Sequence, residues 1–331
     1  MEGEKGRVCV TGGSGFIGSW LIFRLLEHGY SVNTTVRSDP AEDKKDVSFL
    51  TALPGAEEKL RIFNADLSNP ESFDAAIQGC IGVFHVATPV DFEGKEPEPV
   101  VTKRSVDGAL GILKACLDAK TVKRVVYTSS ASAVAFNKED VQDMDESFWS
   151  DTDYIKALKL PGVSFNSCMI SKILTERAVL EYSEKYGLDV VTVIPSFVVG
   201  PFICPKFPSS VKTTLALVLG NRDEYPTLIK FPLVHVDDVA RAHIFLFEHQ
   251  DAKGRYNCSL NVMTIEEMAE LLYAKFPEFQ IPSAESLKEV KGPKFPGLSS
   301  KKLLDSGFEF KYGVDEMFTD AIQCCKEKGY L

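Results

Sequence analysis

The sequence predicts an α/β fold, a doubly wound parallel sheet followed by a smaller C-terminal substrate domain. Over the first two-thirds of the 331 residues, short apolar runs alternate with helical patterns, which is typical of parallel strands joined by crossover helices. A glycine-rich turn follows the first apolar run and opens the first helical pattern. After Pro195 the alternation stops and prolines become frequent, which indicates a second, loop-rich unit.

Six strands and their connecting helices make up the predicted first domain. The strands are expected at residues 7–11, 31–37, 60–64, 83–86, 124–127 and 190–194, and the helices at 16–27, from 70, 98–117 and 167–186. We place this domain at residues 1–195, with 234–255 returning to it as a strand and a helix. Residues 196–331 form the predicted substrate domain, with helices at 265–276 and 314–328.

Charge and composition exclude several classes of protein. The formal net charge is −10, so a nucleic-acid partner is not expected. No run of about 18 apolar residues predicts a membrane span, and the N-terminus enters the first strand without the apolar segment of a secretory signal. The eight cysteines lack metal-ligand spacing. We therefore expect a cytoplasmic, metal-free protein, a monomer or weak homodimer, that acts on a small molecule.

Two histidine positions have structural explanations. His85 lies in an apolar strand and is predicted to be a buried core histidine whose hydrogen bonds are satisfied. His235, Asp237 and Asp238 cluster just before a helical pattern. This position predicts Asp237 as the helix N-cap and Asp238 in the first turn, rather than a metal site.

The turn between the first strand and helix has the spacing of a dinucleotide-binding turn. Residues 11–18 read Thr-Gly-Gly-Ser-Gly-Phe-Ile-Gly. Gly12 permits the tight turn, Gly15 lets the backbone approach a pyrophosphate, and Gly18 lets the helix pack closely against the sheet. Amides and the dipole at the helix N-terminus then bind the phosphates. The sequence therefore predicts a nucleotide cofactor.

Arg37 indicates which nucleotide binds. An NAD-selective site carries a carboxylate at the end of the second strand, roughly 20 residues past the turn. Here Arg37 stands at that point, with Lys44 soon after it. A guanidinium matches a phosphate better than a neutral hydroxyl, which favours NADP(H); the alternative is that Arg37 simply ends a strand in solvent. Asp66 is expected to accept a hydrogen bond from adenine, and residues 86–88 to flank the adenosine half.

A serine and a lysine form the predicted catalytic pair. Ser130 follows the fifth strand at the carboxyl edge of the sheet, where open α/β folds bind ligands. Lys172 lies on a later helix. None of the ten tyrosines is followed four residues later by lysine, and Cys168 stands four residues before Lys172. Because Lys172 lies one helical turn from Cys168, its charge is expected to favour the thiolate.

Together these features resemble the extended short-chain dehydrogenase/reductases of plants, in the dihydroflavonol reductase and vestitone reductase group. The resemblance covers the whole chain and rests on residues 8–20, 84–89, 195–205 and 308–312. It implies NADPH-dependent reduction, or the reverse oxidation, of a plant phenolic or alkaloid carbonyl or carbinol. In that group a Tyr-x-x-x-Lys pair performs the acid–base chemistry, and here Cys168 occupies the position of the tyrosine.

The resemblance also implies roles for individual residues. Ser130 would orient the carbonyl, and Lys172 would bind the nicotinamide ribose hydroxyls. Ala135 stands where a dihydroflavonol reductase carries a substrate-binding asparagine, which counts against that substrate. The predicted cofactor contacts are Gly12, Ser14, Gly15, Phe16, Ile17, Gly18, Arg37, Lys44, Asp66, Leu67, Val86, Ala87, Thr88, Lys172 and Pro195, and the predicted substrate contacts are Val90, Ser130, Ala135 and Phe165.

The cysteine leaves three functions open. The first is a working NADP(H) oxidoreductase in which the substrate supplies the acid or a water relays a proton from Lys172 or Ser130. The second is a non-redox enzyme on the same scaffold, a cyclase, dehydratase or isomerase. The third is a binding protein that keeps only a cofactor-dependent fold. Cys168 itself is most simply a small buried hydrophobe that enlarges the pocket, with a catalytic thiolate or loss of chemistry by divergence as alternatives.

Overall fold

The computed structural model describes residues 5–37, 46–89, 96–139, 141–158 and 163–331, and of residues 163–165 it describes only the backbone. Seven parallel strands form its central sheet, so the predicted doubly wound α/β class is confirmed. The described strands are β1 (Arg7–Thr11), β2 (Ser31–Val36), β3 (Leu60–Asn64), β4 (Gly82–His85), β5 (Arg124–Thr128), β6 (Asp143–Met144), β7 (Val190–Pro195), β8 (Phe197–Val199), β9 (Lys230–His235), β10 (Gly254–Cys258), β11 (Asn261–Thr264) and β12 (Gly297–Leu298).

The predicted long helices lie close to their expected bounds. The helix expected from Pro70 is a short 3-10 helix, Pro70–Phe73, that continues directly into an α-helix. The described α-helices are α1 (Phe16–Glu27), α2 (Ser48–Thr51), α3 (Ala56–Lys59), α4 (Asp74–Ile77), α5 (Glu98–Ala119), α6 (Thr152–Ala157), α7 (Val163–Tyr186), α8 (Ser209–Thr214), α9 (Ala216–Leu219), α10 (Val236–Glu248), α11 (Ile265–Lys275), α12 (Ala284–Leu287), α13 (Lys301–Asp305) and α14 (Val314–Glu327).

Helices cover both faces of the central sheet, whose strand order is β10-β7-β5-β4-β1-β2-β3. Alternate residues of β1 belong to different cores, as the two-residue period of a strand requires. Val8 and Val10 pack with α1 and α10, whereas Cys9 packs with α4 and α5 on the opposite face. Burial on both faces explains why β7 is apolar along most of its length.

The sheet has one strand more than the six that the sequence predicts. Residues 254–258 form β10, which pairs in parallel with β7 at the edge of the sheet. The predicted returning segment ends at residue 255, and later residues belong to the predicted substrate domain. Arg255 and Asn257 make this strand too polar to resemble a buried parallel strand, yet both side chains are buried and hydrogen-bonded. The boundaries of the two domains themselves stay a prediction.

Residues beyond β7 form a second core of their own. A three-stranded sheet of order β11-β9-β8 packs with α8, α9, α11 and α14 around a continuous apolar cluster. The strand β9 belongs to this smaller sheet, while the helix that follows it, α10, packs against α1. Within the described residues, no helix is both long enough and apolar enough to cross a membrane.

The cap of α10 differs from the prediction. His235, rather than Asp237, is the N-cap, and its Nδ1 accepts a hydrogen bond from the backbone N–H of Asp237 at 3.0 Å. Asp237 lies in the first turn and accepts a hydrogen bond from Nε1 of Trp20 at 2.8 Å. The prediction was wrong because an imidazole nitrogen accepts from the helix N-terminus as a carboxylate does.

Candidate active site

The glycine turn has the close contacts that its spacing predicts. Gly12 adopts a φ of +76°, in the left-handed region, and a Cβ there would lie 2.8 Å from Cα of Ala87. A Cβ on Gly18 would lie 2.3 Å from the carbonyl oxygen of Gly12. Larger side chains are therefore excluded at both positions, because the backbone after β4 and the first turn of α1 both lie directly against the turn.

The N-terminus of α1 fits a phosphate group. Gly15 is its N-cap, is exposed and makes no side-chain capping hydrogen bond, and the first turn contains no acidic residue. The first amides of a helix have no partner within it, and together with the helix dipole they attract an anion. The turn and helix therefore have the donors, the sign of charge and the open backbone that a pyrophosphate requires.

The turn lies where the sheet reverses its winding order. β1 pairs with β2 on one side and β4 on the other, and open α/β sheets bind ligands in the crevice at such a point. Oγ1 of Thr11 accepts hydrogen bonds from the backbone N–H groups of Val86 and Ala87, both at 3.1 Å. Its own proton is then directed to Nδ1 of His85 at 2.9 Å. His85 is buried, as expected, and burial lowers its pKa to about 3.

Arg37, Asp66 and Leu67 lie at the same edge of the sheet. Arg37 directly follows β2 and is exposed. Asp66 follows β3, and its Oδ1 accepts a hydrogen bond from the N–H of Ser68 at 2.7 Å, so this oxygen stabilises the turn. Leu67 is half-buried and packs against α5. Lys44 lies outside the described residues.

Lys172 reaches this edge from α7. Its Nζ donates hydrogen bonds to Oγ1 of Thr88 at 2.8 Å and to the carbonyl oxygen of Thr128 at 3.0 Å. Thr88 follows β4 and Thr128 ends β5, so the ammonium bridges the ends of two adjacent strands. Burial lowers the pKa of Lys172 to about 8, against the opposing influence of Cys168 and Glu176.

The two adjacent serines after β5 have different environments. Ser129 is buried, and its hydroxyl donates to Oε2 of Glu176 at 2.6 Å. Ser130 is half-buried and caps the 3-10 helix of residues 131–133, where its Oγ accepts from the N–H of Ser132 at 3.2 Å. A serine hydroxyl that accepts a hydrogen bond keeps its own proton to donate. Ser130 is therefore the serine suited to bind a carbonyl oxygen.

Cys168 lies one helical turn before Lys172 on α7 and is half-buried. Burial raises the pKa of the Cys168 thiol, and the charge of Lys172 offsets this only in part. The charge of Lys172 acts in the predicted direction, toward the thiolate, but desolvation of the sulfur outweighs the attraction between the two charges. At neutral pH the residue is a neutral thiol.

A buried ion pair that the sequence analysis missed lies beneath this site. Glu176 is fully buried on α7 and accepts hydrogen bonds from Ser129 and, at 2.9 Å, from Nε of Arg255 on β10. Arg255 also donates to the carbonyl oxygens of Glu146 and Phe148, both at 2.7 Å. The pair therefore joins α7 to the edge strand of the sheet and to the loop that precedes α6.

The remaining predicted contacts occupy several environments. Val90 lies outside the described residues, as does the side chain of Phe165. Ala135 is buried in the second core, and Pro195 ends β7. The described residues contain no group of three or more His, Cys, Asp or Glu able to hold a metal ion. The other predicted cofactor contacts lie in the glycine turn and the first turn of α1: Ser14, Phe16 and Ile17.

The fold and the site define a dinucleotide-binding α/β enzyme with a lysine at the carboxyl edge of its sheet. The model of the NAD dependent epimerase/dehydratase family matches residues 8–259, and the chain belongs to this family. The predicted membership of the extended short-chain dehydrogenase/reductases is thereby confirmed.

Several relatives are similar over the whole chain. Vestitone reductase of Medicago sativa is 61% identical over 331 residues, which is 100% of both chains. Noscapine synthase of Papaver somniferum is 50% identical over 100% of this chain and 95% of its own. Dihydroflavonol 4-reductase of Hordeum vulgare is 46% identical over 100% of this chain and 92% of its own. The crystal structure of alfalfa vestitone reductase superposes with a TM-score of 0.89 at 58% identity, covering 99% of this chain and 100% of that one.

Proposed function

We propose that this chain is an NADP(H)-dependent oxidoreductase of plant specialised metabolism. It reduces the carbonyl of a flavonoid, isoflavonoid or alkaloid, or oxidises the corresponding carbinol. The observation that supports this most directly is the position of Lys172, which bridges the ends of β4 and β5 beside the glycine turn. The names of the relatives, reductases of vestitone and dihydroflavonol and a noscapine synthase, support the substrate classes.

The residues of the crevice fit the nucleotide. The glycine turn and the N-terminus of α1 would hold the pyrophosphate, Arg37 the 2′-phosphate, and Lys172 the nicotinamide ribose. When bound, NADPH supplies the hydride that reduces the carbonyl carbon. Arg37 is exposed at the end of β2, where a guanidinium can bind a phosphate in two parallel hydrogen bonds.

Ser130 and Cys168 shape the substrate side of the site. Ser130 would donate its hydroxyl proton to the carbonyl oxygen and so orient the substrate. Cys168 has a shorter side chain than the tyrosine of related enzymes and stays a neutral thiol, so it leaves room in the pocket. We assign it the role of a small pocket residue rather than that of a nucleophile.

The same cysteine favours a second candidate function. A family member without the tyrosine acid can use the scaffold for cyclisation, dehydration or isomerisation, with the cofactor bound as a structural element. This candidate predicts turnover that is the same with NADP⁺ and with NADPH. The two functions therefore differ in whether substrate conversion and NADPH oxidation occur together.

A panel of carbonyl compounds tests the proposed function. We expect the protein to oxidise NADPH in the presence of at least one isoflavanone, flavanone, aldehyde or alkaloid ketone, with one carbinol formed for each NADPH consumed. Product formation that does not depend on the redox state of the cofactor would instead establish the non-redox candidate. Tight NADPH binding without conversion of any compound would indicate a binding protein.

The variant Arg37→Asp is expected to reduce the preference for NADPH over NADH by about 10²-fold. A hydrogen bond to a charged group contributes about 1.5–3 kcal/mol, and each 1.4 kcal/mol is a factor of ten. Fluorescence titration with the two nucleotides gives the ratio of their dissociation constants. Arg222→Asp, an equal change of charge at an exposed residue outside the sheet edge, is the control. An unchanged ratio in Arg37→Asp would show that Arg37 does not bind the 2′-phosphate.

Location and partners are part of the same proposal. All eight cysteines are free thiols, which supports a reducing compartment such as the cytoplasm, because disulfides persist mainly in oxidising ones. The net charge of −10 supports a small-molecule partner rather than nucleic acid. A monomer or weak homodimer is the proposed assembly.

A further inference from the structure

We infer that Lys172 is the proton donor of the reduction, in place of the tyrosine that stands at position 168 in related enzymes. The inference rests on the proposed reductase function and goes beyond it, because the family role of this lysine is to bind the ribose and assist the tyrosine. It follows from where the ammonium is held and from the groups that surround it.

The Lys172 ammonium is held in place by two of its three N–H groups. Two of its three N–H groups are directed to Oγ1 of Thr88 and to the carbonyl oxygen of Thr128, at 2.8 and 3.0 Å. Both acceptors lie at the ligand-binding edge of the sheet, so the ammonium lies there too. An ammonium has three donors. Within the described residues the third has no acceptor, so it can donate to a substrate oxygen, to a hydroxyl or to a bridging water.

Ser130 provides a short path from the ammonium to the substrate. It lies two residues beyond Thr128, whose carbonyl oxygen Lys172 contacts, and its backbone is extended, with φ −157° and ψ 152°. The 3-10 helix of residues 131–133 that begins after it packs against α7, which carries Lys172. Ser130 therefore lies on the same side of the site as the ammonium, and we infer that its hydroxyl or one water passes the proton to the carbonyl oxygen.

The groups that face Lys172 do not compete with it as an acid near neutral pH. On its own helix, Cys168 has a pKa raised by burial, and Glu176 is paired with Arg255. On the sheet, burial and the lysine charge lower the pKa of His85 to about 3, so it is neutral. Burial raises the pKa of Tyr127, whose ring centre lies 5.7 Å from the ammonium.

Desolvation makes Lys172 a better acid than an ordinary lysine. Burial favours the neutral amine and lowers the pKa to about 8, while the carboxylate of Glu176 opposes this shift. An acid works best when its pKa lies near the working pH. At pH 7 the ammonium is therefore the predominant form and still loses its proton readily.

The proton transfer balances without a further reactant. The carbonyl carbon gains the hydride and the oxygen gains the proton of Lys172, so the C=O group becomes CH–OH while NADPH becomes NADP⁺. Lys172 is left as a neutral amine and takes a proton from solvent. In the reverse direction the neutral amine accepts the proton of the carbinol hydroxyl.

The pH dependence tests this assignment. Because reduction needs the ammonium, kcat for reduction is expected to be level below about pH 8 and to fall tenfold per pH unit above it. Lys172→Arg keeps the charge but does not release a proton. We expect it to lose 10²- to 10⁴-fold in kcat, the typical contribution of general acid catalysis, and to lose the decline above pH 8. NADPH affinity is expected to change by no more than a few-fold.

Lys302→Arg is the matched control. Lys302 is also a half-buried lysine with a lowered pKa, and its Nζ donates to the carbonyl oxygens of Lys253 and Arg255, both at 2.8 Å. It lies on α13, outside the crevice. This variant is expected to keep the wild-type kcat and pH profile, so a general effect of arginine for lysine is excluded.

A second measurement uses the cofactor-free protein and does not depend on turnover. The rate at which acetic anhydride acylates Lys172 is followed by peptide mass spectrometry as a function of pH. We expect a midpoint near pH 8, below the value of about 10.4 that is usual for lysine. A midpoint near the usual value would overturn the inference.

The outcomes separate this inference from the proposed function. If the wild type reduces a carbonyl but Lys172→Arg retains its rate, or loses rate only in proportion to NADPH affinity, Lys172 is a cofactor ligand and not the acid. If wild type and Cys168→Tyr both fail to oxidise NADPH with every compound, the proposed function itself fails. If only Cys168→Tyr reduces the compounds, the lysine does not replace the tyrosine.

Discussion

Cys168→Tyr is expected to raise kcat for NADPH-dependent carbonyl reduction by roughly tenfold, less than the full contribution of a general acid, because Lys172 already donates the proton through a water or Ser130. The substitution places a phenol one helical turn from Lys172, whose ammonium lowers the pKa of a neighbouring hydroxyl. A phenol is long enough to contact a carbonyl oxygen directly, whereas the thiol is not. The gain is measured from NADPH oxidation at saturating substrate.

The control for this variant is Cys168→Ser, which keeps a short side chain and is expected to leave kcat within a few-fold of the wild type. NADPH affinity of both variants is measured by fluorescence. If Cys168→Tyr binds NADPH normally and shows no gain, residue 168 does not face the substrate oxygen. The pocket of this chain would then differ from that of related enzymes, in which the residue at this position faces the substrate oxygen.

Arg255→Ala is expected to lower the free energy of unfolding by about 3–5 kcal/mol, the usual cost of removing one partner of a buried ion pair. The substitution leaves the fully buried carboxylate of Glu176 without its cation, and it also removes the donors to the carbonyl oxygens of Glu146 and Phe148. The guanidinium further stacks on Trp149, at 3.6 Å from its ring centre. Equilibrium unfolding in urea measures the loss.

Lys301→Ala provides the comparison, because Lys301 and Asp305 form an ion pair in which both side chains are more than half exposed. Exposed pairs of this kind contribute about 0–1 kcal/mol. The double variant Arg255→Ala, Glu176→Gln is expected to recover part of the loss, since it removes the unpaired charge. A loss below 1 kcal/mol in Arg255→Ala would mean that the pair does not hold α7 to the edge strand.

The sequence was sufficient to predict the fold wherever the pattern was apolar. The strands β1 and β7 lie within one residue of their predicted bounds, because burial on both faces leaves nearly continuous apolar runs. The edge strand β10 was missed for the opposite reason. Its arginine and asparagine are buried, but their partners come from distant parts of the chain, which no local pattern reveals.

In the site, too, the features that depend on local spacing were predictable, and those that depend on burial or on distant residues were not. The glycine turn and the carboxyl edge follow from spacing, and the structure brings Thr88, Thr128 and Lys172 together at that edge. The charge of Lys172 favours the Cys168 thiolate, as predicted, but desolvation of the sulfur, which spacing does not give, outweighs that charge. The Lys-x-x-x-Glu spacing of residues 172 and 176 could have indicated that Glu176 lies beside Lys172 on the same helix face. Its partner, Arg255, lies 79 residues away in the chain, and no local pattern indicates the pairing.

The proposed function requires that this chain transfers hydride even though cysteine stands in the position of the tyrosine. Incubation of the wild type with NADPH deuterated at the transferable position of the nicotinamide, together with the best compound of the carbonyl panel, tests it most directly. We expect a product one mass unit heavier, with deuterium on the carbinol carbon and one NADP⁺ formed per product. A product without deuterium, formed equally with NADP⁺, would contradict it and establish a non-redox enzyme on the reductase fold.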